Sequence, residues 1–213
     1  MNTLTQDLKA LALAEGADLV GVAPADRFQG APRMTRPQAI IPDAKAVVVI
    51  AIKYPDAAID GWGKPPAESM FFYQSVQLTM TTTVMPMITF KLYRFLEKAG
   101  YLALPVAPSG FYRYRDYKEI QGGFIADFSH RHAAVAAGLG EFGRQGLLLT
   151  PQFGVRQRMA SVITNAPLQA DPLDLLHHQA GHLTPGGIRA GVLIRESHPL
   201  PRFGVDTRRV TRL

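Results

Sequence analysis

Cysteine is absent from the 213 residues, and that omission excludes disulfides, thiolate zinc sites and cysteine-ligated iron–sulfur clusters within the chain. Nothing in it depends on an oxidising compartment, so the cytoplasm is the expected location. Apolar runs of about eighteen residues are also lacking. The N-terminal apolar stretch is interrupted by Asp7, Lys9 and Glu15, a pattern that fits neither a signal peptide nor a membrane span. Charge is modest, at 19% of residues and a net +6. Basic residues concentrate only in 113–118 and 208–212, which predicts a mildly basic solvated surface and not a polyanion groove. Aromatic interleaving at Tyr112, Tyr114 and Tyr117 keeps single-stranded nucleic-acid or nucleotide stacking open as a minor alternative.

What is present is enough apolar material, 47% of the residues, for one sizeable core with an appendage. Leu4, Leu8, Leu11 and Leu13 near helical spacing, followed by Gly16, predict a helix over about 5–15. The β-branched runs 18–23 and 46–52, bounded by prolines, read as buried strands. Pro32, Pro37 and Pro42 between them predict a covering loop. Residues 69–100 read as helical, with Pro86 and the threonines 81–83 marking a kink or break. A strand at 101–106 and an irregular tyrosine-rich loop at 108–123 follow. Ser129 opens a helix that Gly138 closes. Strands are expected at 146–150 and 158–164, and a last strand-like run at 190–194. Strands separated by helices and long loops predict an α+β protein.

The most informative block runs from Asp127 through Gly154. Gly138, Gly140 and Gly143 lie at a helix end and the turn after it, where a missing Cβ allows positive φ or lets the backbone lie flat against a ligand. A dinucleotide fingerprint with this spacing would open a helix after a strand; here the glycines close one, so that reading fails. The block, followed by 160–172 and preceded by the runs 17–24 and 42–50, resembles the epoxyqueuosine reductases and the related reductive dehalogenases over roughly residues 5 to 172. The resemblance implies a nitroreductase-like three-layer sandwich with a mixed central sheet flanked by helices. It also implies a corrinoid in the cleft, its cobalt reduced by two ferredoxin-like iron–sulfur clusters. The cluster-binding cysteines of that family would begin soon after Pro172, where this chain instead reads LDLLHHQAGH.

The expectation is therefore a corrinoid (cobalamin)-binding domain at 1–170, followed by a histidine-bearing tail at 171–213 in place of the cluster domain. Its possible oxidoreductase activity would depend on a separate electron-donor protein, without an iron–sulfur cluster of its own. Apolar excess and the resemblance add a homodimer; no membrane partner is expected. The resemblance assigns cofactor contact to Ser129, His130, His132, Gly138, Leu139, Gly140, Phe142 and Gly143, with Asp127 or Tyr114 as proton donor. For His130 and His132, two apart and so on different helix faces, capping and hydrogen bonding is the favoured role. His178 and His182, four apart and beside His177, suit adventitious metal more than a physiological site. Two alternatives stay open: an FMN-dependent reductase of nitroreductase type, and a cofactor-free regulatory or nucleic-acid-binding protein.

Overall fold

A computed structural model describes residues 3–60, 68–108, 113–114 and 124–173 of the chain. Helix α1 (Thr3–Ala14) forms on a buried stripe of Thr5, Leu8 and Ala12, the spacing that successive helical turns require. Strand β1 (Leu19–Pro24) follows. The proline-punctuated stretch expected as a loop holds two 3₁₀ turns, Ala25–Phe28 and Arg33–Thr35, and one short helix, α2 (Pro37–Ile40). Strand β2 (Ala46–Lys53) comes next, buried over its first six residues, and then α3 (Asp56–Asp60) and α4 (Glu68–Thr79).

The expected break in the long helix is a π turn, Met80–Val84, that joins α4 to α5 (Met85–Lys98). Thr79, Val84 and Met85 keep right-handed helical dihedrals, so the helix widens without stopping. Two causes coincide there. Pro86 has no N–H for the carbonyl four residues back. The hydroxyls of Thr79, Thr81 and Thr82 donate to the main-chain carbonyls of Ser75, Gln77 and Leu78, a competition that distorts helices.

The remaining elements are β3 (Ala103–Val106), β4 (Arg113–Tyr114), β5 (Phe124–Ile125), α6 (His130–Ala136), β6 (Glu141–Phe142), β7 (Leu148–Leu149) and β8 (Gln157–Thr164). The main sheet has the order β1-β2-β8-β3, and each pairing in it is antiparallel. This corrects the expected mixed sheet. The long helix returns the chain so that β2 and β3 run the same way, but β8 inserts between them and is antiparallel to both, so among the described residues no parallel neighbours arise.

The pleat divides the core in two. Val47 and Val49 of β2, with Ile163 of β8, pack against Phe28, Phe128 and the alanines of α6. Ala46, Val48 and Ile50 pack on the opposite face against Leu8 and Ala12 of α1 and Ile88, Leu92 and Leu96 of α5. Each buried Val, Ile or Leu contributes roughly 1.5–3 kcal/mol. The result is an α+β arrangement with helices on both faces.

β1 is an edge strand, and the chain after β8 returns to cap it. Asp171 N donates to Val22 O at 2.9 Å, and Val22 N donates to Asp171 Oδ2 at 2.7 Å. Lys9 Nζ sits 2.5 and 2.7 Å from the two carboxylate oxygens. Arg27 Nη1 bridges Ala136 O and Asp171 O at 2.6 and 2.8 Å. Packing thus continues past residue 170. The strand-like run 190–194, the histidines 177, 178, 182 and 198, and Tyr112, Arg115 and Tyr117 lie outside the described residues.

Candidate functional site

Helix α6 is seven residues long, about 10 Å at 1.5 Å per residue, and the expected site residues sort to its two ends. At the start, Ser129 caps the helix: its Oγ accepts from His132 N at 3.4 Å and lies 2.7 Å from His132 Nδ1. The His132 ring also packs on Phe142, centroids 4.8 Å apart. His130 turns the other way, as the two-residue offset requires. Its Nδ1 is 2.9 Å from Ser161 Oγ on β8 and its Nε2 is 2.9 Å from Ala107 O just after β3. A carbonyl can only accept, so Nε2 carries the proton and the Ser161 hydroxyl donates to Nδ1. Both His130 nitrogens are therefore occupied within the fold.

Burial first, and the Arg158 charge second, hold the His130 pKa below the ordinary histidine range, against the opposing pull of Ala107 O. That direction favours the neutral imidazole, the form in which Nε2–H donates to Ala107 O and Nδ1 accepts from Ser161. His132 is also lowered, by desolvation and then by the Arg131 charge, although the residue as a whole is exposed and so more open to screening. Asp127 occupies the turn between β5 and α6, half-buried, with Oδ1 shielded from solvent. Tyr114 pairs with Phe124 in the β4–β5 hairpin, which places its backbone beside the strand that leads to Asp127.

At the far end of α6 the glycines face their own chain. A Cβ on Gly138, which has φ +71°, would stand 2.2 Å from Pro172 O; on Gly140 it would stand 2.2 Å from Leu149 O. On Gly143 it would meet the Gln145 side chain at 2.5 Å. Leu139 lies over β1, its Cδ2 2.9 Å from where a Gly21 Cβ would be. The missing side chains make room for close packing of α6 on β1, β7 and the returning chain, so their Cβ directions hold protein and not an open cradle.

The structure adds residues that the sequence did not bring forward. Tyr54, directly after β2, is 5% exposed and its ring stacks on Tyr73 of α4 at 5.5 Å. Its hydroxyl is sealed from solvent, near Tyr73 and Arg158 but without a well-aligned hydrogen bond. Desolvation outweighs the Arg158 charge and pushes the Tyr54 pKa up to about 12. Arg158 itself is a half-buried cation on β8, just beyond the last residue that β3 pairs, and its charge acts on both Tyr54 and His130. One signal was available: a lone charge inside the apolar run RMASVIT is unusual unless partnered or functional. Together His130, Ser161, Arg158, Tyr54 and Tyr73 form a polar group on and beside β8. Arg158 supplies the positive charge of this group. Among the described residues no three His, Asp or Glu side chains group as a metal site.

No family model matches the chain. A tetrachloroethene reductive dehalogenase from Desulfitobacterium hafniense is 37% identical over 84 residues, 39% of this chain and 12% of that protein. The chain thus spans about an eighth of the curated relatives it matches. An epoxyqueuosine reductase structure from Bacillus subtilis, described with its aspartate-bearing catalytic loop swung out of the active site, is similar with a TM-score of 0.52 and 21% identity, over 79% of this chain and 47% of that one. A reductive dehalogenase structure described as suggesting a mechanism for B12-dependent dehalogenation is similar with a TM-score of 0.51 and 22% identity, over 78% of this chain and 20% of that one. The resemblance read from the glycine-rich block therefore extends to the fold.

Proposed function

We propose that this chain is a corrinoid-binding domain of the type found in B12-dependent reductive dehalogenases, a nitroreductase-like sandwich whose packed part runs through Leu173, reduced by a separate donor protein. The observation that carries the reading is the fold shared, over more than three quarters of the chain, with a B12-dependent dehalogenase and an epoxyqueuosine reductase. Without cysteine, these 213 residues themselves supply no ligand for a cysteine-ligated cluster.

The residues fit a corrinoid in one way and not in another. The glycines 138 and 140 do not form a cradle for a flat ring, since their open sides meet Pro172 O and Leu149 O, and His130 has no nitrogen to spare. Two donors flank the start of α6 and suit the rim of such a cofactor, which carries neutral amides and a phosphate: the half-buried guanidinium of Arg158 on the His130 side and the imidazole of His132 on the other. When bound, the group supplies a reducible cobalt centre. Arg158 balances anionic charge and Tyr54 remains a hydrogen-bond donor up to about pH 12. Ser129 fixes the His132 ring through Nδ1, a second contact of the kind that orients ligating imidazoles. Asp127, on the turn into α6, is the residue the resemblance puts forward as proton donor to substrate; Tyr114 on the adjoining hairpin is the alternative.

Absorbance titration of hydroxocobalamin with the purified chain tests this reading. We expect the visible bands to shift saturably and the shift to change in His132→Ala. If the protein perturbs the FMN spectrum and leaves that of cobalamin unchanged, the flavin-dependent alternative replaces the proposal.

A further inference from the structure

Residues 69–90 contain no charged side chain, yet the helix they form keeps large apolar groups in solvent. Phe71 is 68% exposed, Phe72 62%, Leu78 62%, Met87 57% and Phe90 50%. Phe71 and Leu78 lie seven residues apart, Met87 and Phe90 three, so each pair shares a side of the helix. That side is opposite the buried Met80, Met85, Ile88 and Leu92. At about 200 Å² for each large side chain, the five expose roughly 600 Å², the upper end of what a monomer leaves bare.

Two threonines on this face are already satisfied. Thr79 donates to Ser75 O at 3.0 Å and Thr82 to Leu78 O at 2.8 Å, so covering these threonines strands no hydroxyl hydrogen. The first charge beyond the stretch, Lys91, is paired with Glu15 of the same chain. A face without charge is also one that can meet its own copy, because a twofold contact sets like residues against each other and like charges would repel. The chain as a whole carries +6, so self-association is least opposed here.

We propose that this face of α4, the π turn and α5 is covered by the same face of a second copy. The two helices run antiparallel about a twofold axis near Thr79 and Thr82. Phe71 of one copy then lies against Phe90 of the other, since the midpoint between them falls between residues 80 and 81, and the small threonines allow close approach at the axis. With the threonine methyls added, the area per copy nears the roughly 800 Å² of a standard interface. The inference does not depend on the cofactor reading.

Sedimentation velocity of the full chain across the micromolar range, with two variants, tests it. The wild type is expected to sediment as a dimer and Phe90→Asp as a monomer with an unchanged circular-dichroism spectrum. In a chain without cysteine, Thr82→Cys is expected to form a disulfide-linked dimer on mild oxidation, which needs Cα atoms within about 7 Å, while Gln29→Cys, outside this helix, is not. A wild type that stays monomeric overturns the proposal. So does a folded Phe90→Asp that dimerises as the wild type does, or a Thr82→Cys that fails to crosslink. Dimerisation that appears only after truncation behind Leu173 means that the chain's own tail covers the face. Capture of the monomer by neutral lipid vesicles means that a membrane does.

Discussion

Replacing Asp171 with alanine separates a chain end that is part of the fold from one that merely trails it. The carboxylate accepts the Val22 amide at 2.7 Å and both its oxygens meet Lys9. Val22 is 0% exposed, so its N–H loses a charge-assisted bond worth about 1.5–3 kcal/mol and has no other partner nearby. The Lys9 pair adds less. Its side chains retain 27% and 23% of their accessible surface, and partly exposed pairs contribute about 0–1 kcal/mol after solvent screening. Arg27 binds the main-chain oxygen of Asp171, which the substitution leaves in place. The expected loss is about 2–4 kcal/mol for Asp171→Ala, while Asp171→Asn, which keeps an acceptor for Val22 N–H, loses about 1 kcal/mol. Urea unfolding at constant m measures both, and thermal melting should show a drop of several degrees for the alanine variant. An alanine variant within about 0.5 kcal/mol of wild type, or equal to the asparagine variant, would refute the reasoning.

Three further outcomes follow from the site. Because the folded pKa of His130 lies below its ordinary 6.5, protonation favours the unfolded chain: the contribution is complete above about pH 6.5 and is lost as pH falls from there through the folded value. Stability against pH should therefore fall on the acid side of 6.5, and less steeply in His130→Gln. Tyr54 is shifted the other way, from 10.0 to about 12, so its contribution is present below pH 10 and is lost between about 10 and 12; tyrosinate absorbance should show one phenol titrating late, absent in Tyr54→Phe. Gly140→Ala should lower stability by at least about 1–3 kcal/mol through its clash with Leu149 O, and calorimetry should show this without any ligand present.

The elements with strong local signals were legible in the sequence. The Ser129 cap, the Gly138 stop and the buried runs of β1, β2 and β8 emerge within a few residues of where pattern places them, because each is dictated by neighbours in the chain. Threonines and Pro86 marked the right place for a disturbance, but whether a helix breaks there or widens depends on packing of Met85 and Ile88 against the sheet, which no local pattern contains. The short strands β4, β5 and β6 were missed for the same reason: two residues carry no periodicity. The expected mixed sheet failed because pairing order is a long-range property, set here by β8 entering between β2 and β3. At the site, the sequence drew attention to 127–143 and gave its glycines either positive φ or contact with a ligand; Gly138 has φ +71°, and added Cβ atoms at Gly138 and Gly140 would meet Pro172 O and Leu149 O. It passed over Tyr54 and Arg158, which lie 104 positions apart in the chain and meet only through the β2–β8 pairing.

Equilibrium dialysis of the full chain against hydroxocobalamin, with FMN in a parallel cell, tests the central claim most directly. Saturable retention of one cobalamin per chain is expected, weakened at least tenfold, or about 1.4 kcal/mol, in Arg158→Gln. Retention of FMN alone, or of neither compound by a folded protein, would contradict it.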